Sequence, residues 1–118
     1  MQFNESWDDD SKKEFLAWIA SAARTPQEKI ACAELWAIMT KEILFNGPIE
    51  IIDHRPFVRS DGKSVEIYRI KRRSKVVMLF GVYEASETQS YVHLVLIAPI
   101  NYSRMWAISK DRIERWTI

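Results

Sequence analysis

Five cations crowd into one short segment, VEIYRIKRRSK over residues 65–75: Arg69, Lys71, Arg72, Arg73 and Lys75. Side chains along a strand alternate between its two faces. A strand here therefore presents Arg69, Lys71 and Arg73 on one face and Tyr68, Ile70 and Arg72 on the other. Three cations on one face of a half-buried strand make a surface suited to phosphate. Arg55 and Arg59, a few residues upstream, add to the cationic character. Two plainer readings compete with that one. A charged edge strand discourages edge-to-edge pairing, and a basic face also fits an acidic protein.

The formal charge of +1 conceals an asymmetry. Residues 1–50 carry five Lys/Arg and nine Asp/Glu, a net of −4, whereas residues 51–118 carry twelve and seven, a net of +5. A basic half points to nucleic acid or an acidic partner.

Other reactive side chains are sparse. His93 sits among apolar residues and reads as a hydrogen-bonded core histidine; His54, beside Arg55, reads as a surface residue. Two His and one Cys, far apart, have no metal-site spacing, so neither a metal nor a cofactor is expected. Asp8, Asp9 and Asp10 are consecutive, and on a helix consecutive residues fan out, so they suit the start of a helix better than an ion. Cys32 alone forms no intramolecular disulfide and fits a reducing compartment. The acidic start MQFNESWDDD is unlike a signal peptide, and no apolar run reaches the roughly 20 residues of a membrane helix. A cytoplasmic protein without membrane association is expected.

The elements that must position the cations can be taken in order. Residues 1–6 are a weak first strand. Ser6 is a candidate cap for a helix over 8–23, whose apolar stripe is Phe15, Trp18, Ile19, Ala22 and Ala23. Thr25, Pro26 and Glu28 form a helix-start signal for a second helix to Phe45, stopped by Asn46-Gly47-Pro48. Residues 49–52 are an edge strand or connector, and 53–63 read as a loop. Strands follow over 64–73, 75–84 and 90–100, with a tight hairpin at Ser74; the last two are apolar on both faces and so central. A short C-terminal helix follows, with Ser109 as its cap and Ile113 and Trp116 buried. The expectation is a single α+β domain, with a helical hairpin packed on a curved antiparallel sheet of three to four strands.

This order and these basic positions resemble the RelE/ParE superfamily of bacterial toxins. Tyr68-Arg69-Ile70-Lys71-Arg72-Arg73 is similar to the basic strand of the mRNA-cleaving members. Leu94-Val95-Leu96-Ile97, followed by Asn101, Tyr102 and Arg104, is similar to their last strand and basic tail. The resemblance implies ribosome-dependent mRNA cleavage, by attack of a ribose 2′-OH on the adjacent phosphate. That chemistry needs cations at the phosphate, a proton acceptor and a donor for the leaving oxygen. It implies Lys71, Arg73, Arg104 and Tyr102 as catalytic candidates, with Lys71 as base and Arg104 against developing charge. Arg69, Arg72, Lys75, Arg55 and Arg59 would bind the nucleic acid. Arginine stays charged, and so clamps rather than accepts protons.

The chain departs from the pattern at Val76 and Val77, where the family often carries arginine, and it lacks the family's His-Tyr or Lys-rich ending. A degenerate relative fits as well. Two readings from another class stand beside it: a small inhibitor, phage or mobile-element encoded, that binds a bacterial protein, and a ParE-like gyrase poison. The expected partners are mRNA and the ribosome, or an antitoxin or other acidic protein.

Overall fold

A computed structural model describes residues 2–20, 25–27, 30 and 51–118. The elements are β1 (Gln2–Trp7), α1 (Asp9–Ala20), β2 (Ile51–Val58), β3 (Ser64–Arg72), β4 (Val76–Glu84), β5 (Gln89–Pro99) and α2 (Met105–Glu114). The expected second helix lies outside the described residues, except for Thr25, Pro26, Gln27 and Ile30, and so does Cys32.

The five strands form one sheet in the order β1-β5-β4-β3-β2. β1 runs parallel to β5, and all other pairs are antiparallel. The fold is thus α+β, but the sheet is mixed and five-stranded rather than antiparallel with three to four strands. β4 and β5 are central, which explains their apolar character on both faces. One face buries Ile70, Met78, Phe80 and Leu94 with Phe15 of α1; the other buries Ile67, Leu79 and Val95 with Met105 and Ile113 of α2. The two described helices therefore lie on opposite faces of the sheet.

Strand β2 occupies a stretch whose Pro56 and charges read as loop. An edge strand tolerates both, because its outer N–H groups need no partner and charge discourages further pairing. The first helix is capped by Asp8, not Ser6: the Ser11 N–H donates to Asp8 Oδ2 at 3.0 Å. Ser6 belongs to β1. The C-terminal helix begins at Met105, one turn before the expected cap, so Ser109 is buried within it.

Two local devices seat α2. Gly81 of β4 leaves room beneath it, since a Cβ there would run into Ile113 and Val65. A register shift between β4 and β5 inserts Val95, as Leu79 pairs with Leu96 and Phe80 with Leu94. The inserted residue switches the alternation, and both Val95 and Leu96 join the α2 core. Arg112 Nη1 donates to the Val95 carbonyl at 2.9 Å.

Candidate nucleic-acid interface

Strand β3 ends at Arg72, so Arg69 and Lys71 project with Val65 and Ile67 toward the α2 face, while Arg73 lies in the hairpin turn. Arg73 and Ser74 both have left-handed backbone, with φ of 53° and 50°. Glycine or asparagine would sit there at least cost; the chain keeps a cation. Arg72 closes the strand opposite Val76, and Lys75 is exposed in the turn. The Ile100 N–H donates to the Lys75 carbonyl at 3.1 Å, which brings the hairpin and the start of the 100–104 segment to one end of the sheet.

The α2 face at this end centres on Trp106. The Arg55 guanidinium carbon lies 3.9 Å above the indole centroid, and that of Arg69 lies 5.5 Å from it. The ring quadrupole attracts both. Arg69 is half-buried; its Nη2 donates to Asp53 Oδ2 at 3.1 Å, and its Nη1 lies 3.4 Å from Met105 Sδ. Arg55 is exposed, as is Arg104 at the N-cap position of α2. Tyr102 is half-buried and packs on the second core. Arg55 and Arg69 thus lie against Trp106, Lys71 shares their face of the sheet, and Tyr102 and Arg104 lie in the segment that leads into α2.

Arg59 takes no part in this grouping. It lies past the end of β2, beside the start of β3 and away from Lys71, and its side chain is only 8% exposed. Its Nη2 pairs with Asp61 at 2.9 Å, and its Nε reaches Glu114 at 4.0 Å. A residue expected to meet phosphate instead ties the 59–63 loop to α2. The Lys63 backbone N–H holds the Asp61 carboxyl below its ordinary range, aided by Arg59 and the Lys63 ammonium.

A second site had no signal in local spacing. A cleft of about 620 Å³ opens where β1 meets α1 and the C-terminal segment, lined by Glu5, Ser6, Asp9, Tyr91, His93 and Trp116 among others. Ser6 Oγ lies 2.6 Å from His93 Nδ1, and the imidazole stacks on Trp116 with centroids 4.7 Å apart and planes at 6°. Burial pushes the His93 pKa down to about 4, although Asp8 and Asp9 oppose the shift. The imidazole is therefore neutral near pH 7 and links β1, β5 and the C-terminal segment through one hydrogen bond and one stack. Behind it, Asp8 faces Arg112 Nε at 3.5 Å and Arg115 Nη2 at 3.3 Å. Glu14 and Asp10 complete the knot, each 2.7 Å from one of these arginines.

Among the described residues, no group of three His, Cys, Asp or Glu is placed to hold a metal ion. No described helix is long and apolar enough to cross a membrane. Comparison with protein-family models, curated proteins and solved structures finds no match. The RelE/ParE resemblance rests on the element order expected from the sequence and on the residues quoted for it.

Proposed function

We propose that the α2 face around Trp106 binds the phosphate backbone of RNA, and that the protein is a RelE-like toxin acting on mRNA. The observation that carries this reading is the pair Arg55 and Arg69 against one indole, with Lys71 on the same sheet face and Arg104 at the start of the helix that bears the ring. Cations on a common face neutralise successive phosphates and release their counterions. In this reading Lys71 takes the 2′-hydroxyl proton, Arg104 meets the developing charge, Arg73 clamps from the hairpin, and Tyr102 orients the nucleotide. The same reading places residues 25–45 as the second arm of a helical hairpin with α1.

Induction in a bacterial host tests the proposal. The wild-type chain should arrest growth and leave mRNA cut on translating ribosomes, and the Lys71→Ala/Arg104→Ala pair should abolish both. Unchanged arrest by that pair rejects the site. One observation favours a second reading: Arg69 already holds a carboxylate, that of Asp53, at 3.1 Å. The face would then dock an acidic protein, as an inhibitor or a ParE-like poison does. Arrest without mRNA cleavage, with one protein co-purifying, selects that reading.

A further inference from the structure

We infer that Arg55, lying over Trp106, is a stacking platform for an unpaired RNA base, so that the face selects single-stranded RNA over duplex. The inference rests on the RNA-binding reading and adds which form of RNA is taken.

Arg55 is set apart from the other cations by its surroundings. Arg69 is committed to Asp53 and Met105, and Arg59 to Asp61 and Glu114. Arg55 is exposed on β2, the outermost strand at its side of the sheet, with Trp106 beneath it. A separation of 3.9 Å between guanidinium carbon and ring centroid is close to van der Waals contact. The indole thus lies against the guanidinium on one side, and the exposed side chain leaves the rest of the group accessible.

A guanidinium plane is weakly hydrated and stacks readily on π systems. RNA-binding proteins hold splayed-out bases on aromatic rings or on arginine planes in this way. Trp106 restricts Arg55 before the ligand arrives, which lowers the ordering cost of stacking. Lys71, on the same sheet face, and Arg104, at the start of α2, would meet the flanking phosphates. Duplex RNA keeps its bases paired and stacked inward, so it reaches the phosphate-binding cations but not the platform.

The test is a cycle of protein and RNA variants, read by equilibrium binding to a short fluorescent oligonucleotide. The RNAs are a single strand, its blunt duplex, and the same strand with abasic positions. The proteins are wild type, Arg55→Lys, which keeps the charge but loses the plane, and Trp106→Phe, which keeps a smaller ring. Wild type should prefer the intact single strand to the abasic strand by about tenfold, the worth of one stacked base. Arg55→Lys should bind both strands alike while holding its affinity for duplex, and Trp106→Phe should fall between. Equal loss on all three RNAs, or no loss, overturns the platform while leaving phosphate binding intact. No binding to any RNA at low salt overturns both readings. Thermal unfolding of each variant separates a misfolded protein from a lost stack.

Discussion

At one end of α2, Arg112 and Arg115 face Asp8, Asp10 and Glu14; at the other, Arg55 and Arg69 lie against an indole, with Lys71 on the same sheet face and Arg104 at the helix start. The two regions are equally conspicuous as charge. In the first, each arginine meets carboxylates from α1 and the residue that caps it, and the pair at its centre, Arg112 and Asp8, is withdrawn from solvent. In the second, Asp53 meets Arg69, and Arg55 and Arg104 stay exposed. Charge that is paired and withdrawn from solvent fixes the fold, and exposed charge such as that of Arg55 and Arg104 is within reach of a ligand.

The largest effect is expected at the closed end. Arg112→Leu removes the buried cation beside Asp8, leaving that carboxylate to the half-exposed Arg115 and the Ser11 N–H, and takes the side-chain donor from the Val95 carbonyl; it should cost roughly 3–5 kcal/mol in urea unfolding. A loss under about 1 kcal/mol would show that the knot is as dispensable as a surface pair.

His93 gives the next largest. Its pKa falls from 6.5 to about 4 on folding, so between those values the unfolded chain binds more protons than the folded one. Its contribution to stability is full above pH 6.5 and is lost as pH falls through 4. The shift corresponds to about 3 kcal/mol. His93→Gln should flatten that part of the stability–pH curve, and an unchanged slope would assign it to other groups.

Gly81→Ala probes the helix that carries both regions. A Cβ there meets Ile113 and Val65, and should cost roughly 1–3 kcal/mol while blue- or red-shifting tryptophan emission as α2 lifts. Smallest in stability is Arg104→Ala, which should lie within about 0.5 kcal/mol of wild type. It should nonetheless weaken RNA binding at low salt and lower the salt slope by about one. If its stability falls as far as that of Arg112→Leu, the distinction between the two ends collapses.

The two ends also differ in how far the chain announces them. The cations of 69–75, the central strands and the tight hairpin could be read locally, because alternation and turn chemistry act over a few residues. Edge strand β2 could not, since Pro56 and its charges are tolerated because no described strand pairs beyond it. The cap at Asp8 displaced Ser6 because Ser6 is held in β1 against His93, 87 residues away. Arg59 and Arg55 look alike in sequence; only the fold reveals that Glu114 waits for one and Trp106 for the other. The parallel pairing of β1 with β5 left no mark in the sequence pattern, because a six-residue edge strand pairs through its backbone.

That pairing sets an order of events during synthesis. Residues 2–7 have no strand to join until residues 89–94 exist, and Asp8 meets Arg115 only across 107 positions. A ribosome making the chain releases its first strand long before the strand that receives it, and the antiparallel β2–β5 meander can assemble first. Arg112 and Arg115, among the last residues made, are the partners of Asp8, Asp10 and Glu14, so the pairs that fix the start of the first helix must wait for the end of synthesis.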